Sequence, residues 1–310
     1  MSLRVVFAGT PDFSVPTLGM LLNHPEIEVV GVVSQPDRPA GRGMKLTASP
    51  VKARAVAAGV EVITPERLRG NDEALAWLTQ KQPELLVVVA FGMILPKSWL
   101  ETPRLGAVNV HASLLPRWRG AAPIERALLA GDSETGVGIM RMEEGLDTGP
   151  LYAEERLPIS RLTNAGDLWD ALALFGAMTL RNTLPAILNG ATPTPQAEEG
   201  VTYAKKLSNS ERELNWQLPA VQIDRVVRAF APAPGARSTF RGKLIKILEG
   251  EHEALALAPG LLRADGDALL VGCGEGSYRI HKLQPEGKQA MGAADFLRGQ
   301  PLQAGERFGE

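Results

Sequence analysis

The run Glu84-Leu85-Leu86-Val87-Val88-Val89-Ala90 is apolar without interruption from Leu85 onward. A strand with one wet face alternates polar and apolar residues. An unbroken β-branched run suits a strand covered on both sides, as in a parallel sheet flanked by helices. Residues 3–8, 28–33 and 107–110 are short runs of the same kind, and residues 13–23, 50–58 and 72–80 between them read as helices. Strands alternating with helices imply an α/β fold, with a Rossmann-like, mostly parallel sheet carrying helices on both faces.

After Asp147 the pattern changes. Residues 151–157 read as a further strand, and 165–188 as a long helix that packs back on the sheet. Residues 189–200 are rich in Pro, Thr, Gly and Ala, a linker composition. Residues 219–230 read as one helix. Strand-like runs follow at 243–248, 260–263, 268–271 and 277–282, separated by turn residues. The expected plan is an α/β domain at 1–189, a linker at 190–205, and a smaller OB-like β-barrel domain at 206–310.

Composition narrows the function classes. Of 310 residues, 45% are hydrophobic and 22% charged, enough for a sizeable core. A net charge of −2 excludes a uniformly basic nucleic-acid binder, so any such site is a local patch. The single cysteine, Cys273, excludes an internal disulfide and cysteine-paired zinc, and suits a reducing compartment. No metal is expected. The N-terminus enters a strand directly, without the features of a signal peptide, and no run is read as long enough to span a bilayer. A cytoplasmic monomer with no membrane partner is expected.

The first strand runs into Ala8-Gly9-Thr10-Pro11. Only Gly9 fits the dinucleotide fingerprint, so the turn reads as structural and a nicotinamide-dependent oxidoreductase is disfavoured. The chemistry lies later, in Asn109-Val110-His111. On a strand, positions two apart share a face, so Asn109 and His111 stand together while Val108 and Val110 take the other side. An amide and an imidazole at the end of a central strand suit acyl transfer to an amine. The amide donates to the developing oxyanion, worth roughly 2.7–4 kcal/mol in known oxyanion holes. A protonated imidazole stabilises the same oxygen or moves a proton. Asp147, between Gly145 and Gly149, is a carboxylate that flexible backbone can aim at His111. Leu114, Leu115, Pro116 and Arg119 leave the strand in a loop suited to a flat ring and an anion.

These segments together resemble the 10-formyltetrahydrofolate-dependent formyltransferase family. The shared pattern is Asn109-x-His111, Ser113-Leu114-Leu115-Pro116 with Arg119-Gly120, Asp147-Thr148-Gly149, and Phe91-Gly92-Met93-Ile94-Leu95-Pro96. The resemblance implies catalytic roles for Asn109, His111 and Asp147. It implies a folate site built from Phe91, Met93, Ile94, Leu95, Ser113, Leu114, Leu115 and Pro116.

Over nearly the whole chain the resemblance is closest to the branch that acts on initiator methionyl-tRNA. Its carriers include Gln35-Pro36-Asp37-Arg38-Pro39-Ala40-Gly41-Arg42-Gly43 and Tyr203-Ala204-Lys205-Lys206-Leu207. It implies tRNA contacts at Arg38, Arg42, Lys45 and Lys206, and a tRNA-binding role for the C-terminal domain. The chain departs from that branch at Asn209, where a lysine is frequent, and at Ala231-Pro232-Ala233-Pro234. Charge points the same way. Residues 36–54 hold Arg38, Arg42, Lys45, Lys52 and Arg54 against Asp37 alone, in a stretch read as irregular. A second basic series runs from Arg225 to Lys246 without an acid. The alternative acceptor is a small amine, a glycinamide ribonucleotide or an amino sugar.

Overall fold

The computed structural model describes residues 2–40 and 43–310. Two compact units emerge. The first comprises the chain up to Pro123, Glu134–Pro158 and Trp169–Lys205; the second comprises Ile124–Ser133, Ile159–Leu168 and Lys206–Glu310. Two segments inside residues 1–189 therefore group with the second unit.

The elements run β1 (Leu3–Gly9), α1 (Val15–Leu22), β2 (Ile27–Val33), β3 (Arg38–Ala40), β4 (Lys45–Thr47), α2 (Pro50–Ala57), β5 (Val62–Ile63), α3 (Asp72–Lys81), β6 (Leu85–Val89), α4 (Lys97–Glu101), β7 (Ala107–His111), β8 (Arg119–Gly120), α5 (Pro123–Ala130), β9 (Glu134–Arg141), β10 (Leu151–Pro158), α6 (Ala165–Leu188) and β11 (Tyr203–Ala204). The main sheet of the first unit has the order β10-β9-β7-β6-β1-β2-β5. From β7 to β5 every pairing is parallel, and β9 is antiparallel to both β7 and β10. Reading outward, the parallel strands follow a Rossmann-like sequence whose direction reverses between β1 and β6. Ligands bind beyond the carboxyl ends of strands at such a switch point.

Local chemistry sets the element ends. Ser49 caps α2 by accepting from the Lys52 N–H at 3.0 Å, and Asn71 caps α3 by accepting from the Ala74 N–H at 3.0 Å. All of β6 is buried, as its unbroken apolar run requires. At the end of β1, a Cβ on Gly9 would lie 2.7 Å from the Phe7 ring and 2.9 Å from Ser14 Cβ, so this glycine serves close packing. On the far face of β7, Val110 Cγ1 would lie 2.5 Å from a Cβ on Gly176, which is how tightly α6 seats on the strand.

One strand is added and two sequence expectations change here. β9 lies within the sheet although Glu134–Arg141 carries no clear strand signal: Gly136 and Gly138 interrupt it. Strands β3 and β4 pair antiparallel, Arg38 opposite Thr47 and Ala40 opposite Lys45, where irregular backbone is expected. Helix α6 is long and apolar enough, by length and composition, to cross a membrane, contrary to the expectation that no run is; half of its most apolar window is buried within the fold. Leu172, Leu180 and Leu184 are among its inward residues.

The second unit contains α7 (Ala220–Phe230), β12 (Ala236–Phe240), β13 (Lys243–Glu253), β14 (Leu262–Asp265), β15 (Ala268–Gly272), β16 (Ser277–Pro285), β17 (Met291–Gly292) and α8 (Ala293–Gly299). Its antiparallel sheet has the order β12-β13-β16-β15-β14, with β17 added to β16. Register shifts at Ile247–Gly250 bend the long β13. Helix α7 drives Ile223, Val227 and Phe230 inward, at helical spacing. Ile223 and Val227 join a core with Trp216, Phe240, Tyr278, Phe296 and Phe308. Burying each such side chain contributes about 1.5–3 kcal/mol. Phe240 meets Phe296 and Phe308 edge-on, both at 5.6 Å between centroids.

Candidate active site

Strand β7 delivers Asn109 and His111 to the carboxyl end of the sheet, on one face. The loop after β9 approaches them. In that loop Asp147 has φ 52°, a left-handed backbone that costs an L-residue roughly 1–2 kcal/mol. The loop closes because Gly149 lies directly under the Arg141 carbonyl, where a Cβ would overlap the oxygen. Asp147 thereby turns its carboxylate toward β7.

Three groups far apart in the sequence meet there. Asn109 Nδ2 donates to Asp147 Oδ1 across 3.5 Å, and His111 Nδ1 stands 3.7 Å from Asp147 Oδ2. Both separations exceed a normal hydrogen bond. The firm anchor of the carboxylate is elsewhere: the Gly120 N–H donates to Asp147 Oδ2 at 2.8 Å. His111 is buried, with Nε2 3.0 Å from the Trp118 carbonyl. A carbonyl only accepts, so Nε2 carries a proton and Nδ1 is the nitrogen left facing the carboxylate and the opening. An amide N–H and an imidazole nitrogen thus face one small volume beside an anchored carboxylate. A carbonyl oxygen entering this volume accepts from Asn109 Nδ2, and from His111 Nδ1 when that nitrogen also carries a proton.

The loop following β7 folds over β9. Leu114 lies against Gly136, where a Cβ would come within 2.4 Å of Leu114 Cδ2, while a Cβ on Gly138 would press on Leu151 at 3.1 Å and meet Leu115 at an ordinary 3.9 Å. Ser113 is buried and its Oγ donates to the Arg117 carbonyl at 2.7 Å, closing the turn. Among the other residues expected to hold folate, Phe91 and Leu95 belong to the apolar core, Met93 packs against it, Leu114 and Pro116 are half-buried, and Ile94 is 91% exposed. The Phe91 carbonyl is fixed twice, accepting from Thr10 Oγ1 at 2.9 Å and from Gln35 Nε2 at 3.0 Å. A cavity of about 390 Å³ opens between α4 and residues 141–144, at the Gly106 end of β7, lined by Lys97, Leu100, Glu101, Arg141, Met142 and Glu144 among others.

Arg119, expected to meet an anion, instead donates to Gln196 Oε1 from Nε at 3.1 Å and from Nη2 at 2.7 Å. Gln196 also holds the Asp147 and Gly149 carbonyls, at 2.9 and 2.7 Å. The Thr202 hydroxyl accepts from the Trp118 N–H at 2.9 Å, and β11 pairs with β8. The stretch expected as a linker is thus laced to the site. Gln196 and Thr202 carry no sequence signal: both sit in a polar, proline- and glycine-punctuated run.

The expected tRNA residues are dispersed. Arg38 and Lys45 are exposed on β3 and β4, Arg38 Nη2 donating to Gln35 Oε1 at 2.5 Å. Lys206 is exposed at the start of the second unit's long segment. Arg42 lies outside the described residues. Among the described residues no group of His, Cys, Asp and Glu is arranged to hold a metal ion. Burial pushes the Cys273 thiol up to about 12, which removes it as a nucleophile.

A Rossmann-like sheet and a small β domain, with an amide, an imidazole and a carboxylate gathered at the end of β7, match a class of formyl-transferring enzymes. The chain belongs to the formyl transferase family: the model "Formyl transferase" matches residues 3–184, and "Formyl transferase, C-terminal domain" matches residues 206–301. Within the family it is similar to the methionyl-tRNA formyltransferase of Chromobacterium violaceum, 47% identical over 308 residues, covering 99% of this chain and 100% of that one. The methionyl-tRNA formyltransferase of Acidithiobacillus ferrooxidans is 49% identical over 310 residues, covering 99% and 98%. Among solved structures, an N-formyltransferase from Helicobacter canadensis in complex with folinic acid and dTDP-3-aminofucose aligns with a TM-score of 0.67 at 18% identity, covering 93% of this chain and 100% of that one. HypX from Aquifex aeolicus in complex with tetrahydrofolic acid aligns with a TM-score of 0.62 at 17% identity, covering 96% of this chain and 47% of that one. These two likenesses concern the fold.

Proposed function

We propose that this protein transfers the formyl group of 10-formyltetrahydrofolate to the free amino group of methionyl-initiator tRNA. The products are formylmethionyl-tRNA, for translation initiation in the cytoplasm, and tetrahydrofolate. The observation that carries the reading is the meeting of Asn109, His111 and Asp147 at the end of β7. The 47–49% identity to methionyl-tRNA formyltransferases supports the choice of acceptor.

In this reading the donor lies between the Phe91–Pro96 turn and the loop carrying Asp147. Half-buried Met93 and Leu114 offer it apolar surface. The methionyl amine attacks the formyl carbon, forming a new C–N bond. The carbonyl oxygen gains the negative charge, and Asn109 Nδ2 donates to it with the His111 ring beside it. Collapse of the tetrahedral centre breaks the bond from the formyl carbon to the folate nitrogen. The proton lost by the amine ends on that nitrogen. Asp147, anchored by the Gly120 N–H, holds His111 and takes part in the proton's passage. The amine supplies its own nucleophilicity. Arg38, Arg42, Lys45 and Lys206 contribute cationic contacts to tRNA phosphates.

Acceptor competition tests this reading. Charged initiator tRNA, charged elongator tRNA, glycinamide ribonucleotide and an amino sugar nucleotide are offered together with labelled donor. Label should accumulate on initiator methionyl-tRNA. Label on a small amine in preference to tRNA would refute it.

A further inference from the structure

We infer that Gln196 is a positioning residue for the transfer, holding Asp147 in its working conformation through the backbone. The inference rests on the formyl-transfer reading above and adds a residue from the stretch between the two matched family segments.

The Gln196 amide is saturated. Nε2 donates to the Asp147 carbonyl at 2.9 Å and the Gly149 carbonyl at 2.7 Å, with Met140 Sδ alongside at 3.6 Å. Oε1 accepts from both Nε and Nη2 of Arg119. Carbonyls only accept and a guanidinium only donates, so these partners fix which end of the amide is which. One side chain therefore ties the backbone of Asp147 to Arg119, and the next residue, Gly120, supplies the N–H that anchors the Asp147 carboxylate.

This tie has a definite load. Asp147 sits at φ 52° in a loop bounded by Gly145 and Gly149. A non-glycine residue persists there only when its surroundings over-determine it. Two donated hydrogen bonds to carbonyls at and just beyond Asp147 supply that determination. Without them the loop relaxes toward ordinary φ, the carboxylate leaves the Gly120 N–H, and Asn109 and His111 lose their common partner. The Gln196 segment is itself held in place. Thr194 and Leu151 exchange backbone hydrogen bonds, each at 2.8 Å, and the Arg119 N–H donates to the Thr202 carbonyl at 2.9 Å.

Two substitutions test the inference, with Asp147→Asn as comparator. Gln196→Ala removes the tie. Gln196→Glu keeps the shape and the Arg119 contact but cannot donate to the two carbonyls. Steady-state formyl transfer to charged initiator tRNA is measured with thermal melting of each variant. Both Gln196 variants should lose kcat by roughly 10- to 100-fold, the cost of a small misplacement of reacting groups. KM for tRNA should stay within about twofold of the parent. A Gln196→Glu kcat within about threefold of the parent, with Asp147→Asn inactive, overturns the inference and leaves formyl transfer standing. So does a loss that merely tracks the unfolded fraction. Full activity of Asp147→Asn overturns the proposed mechanism itself.

Discussion

Replacing Asn109 by alanine separates catalysis from stability more cleanly than any other change in the site. The amide is half-buried, and it donates to the Asp147 carboxylate across a long 3.5 Å. A contact that long adds little to folding, so the substitution should cost less than about 1 kcal/mol of stability. The neighbouring Val108 and Val110, which seat β7 in the core, are untouched. In the transition state the same N–H faces a full oxyanion. Removing one such donor raises a barrier by roughly 2.7–4 kcal/mol. At about 1.36 kcal/mol per decade, kcat should fall by roughly 10²- to 10³-fold. The assay is single-turnover transfer of labelled formyl to charged initiator tRNA at saturating enzyme, with chemical unfolding run in parallel. A rate within about threefold of the parent, at unchanged stability, would show that Asn109 does not meet the developing charge.

Other outcomes follow from separate parts of the molecule. Gly149→Ala forces a methyl into the Arg141 carbonyl, so it should destabilise the first unit by about 3 kcal/mol or more in thermal melts and abolish activity. In the second unit, the Arg126 guanidinium, aided by the Ser208 N–H, lowers the Glu211 carboxyl from 4.5 to about 2. A lowered folded-state value means that this stabilisation is complete above about 4.5 and is lost as pH falls toward about 2. Urea unfolding of Glu211→Gln should therefore show a penalty at neutral pH that shrinks through this window; a constant penalty contradicts the assignment. Lys45→Ala on the exposed β4 should raise KM for tRNA and reduce the salt slope of binding by about one, with kcat preserved. An unchanged salt slope argues against contact of β4 with phosphates.

Much of the fold was legible because burial leaves simple marks. The unbroken run of β6 identified a doubly covered parallel strand, and the spacing of apolar residues marked α6 and α7. Strand β9 was hidden because Gly136 and Gly138, the first of which makes room for Leu114, weaken a β pattern. The β3–β4 pairing was hidden by the proline and glycines that suggested irregular backbone. Period-two alternation correctly placed Asn109 and His111 on one face, since it depends on strand geometry alone. Their approach to Asp147 is a tertiary matter, brought about by the left-handed backbone at Asp147 and the close seat of Gly149. Arg119 illustrates the limit most plainly. A loop arginine suggested an anion site, yet its partner is Gln196, a residue 77 positions away that composition reads as linker.

The most direct measurement is a structure of the protein with an unreactive formyl-folate analogue and a short methionyl-tRNA acceptor mimic. The formyl oxygen should lie roughly 2.7–3.2 Å from both Asn109 Nδ2 and the Nδ1 of a doubly protonated His111 ring, with the acceptor amine opposite. A formyl group seated more than about 5 Å from that pair, facing other side chains, would contradict the proposed chemistry.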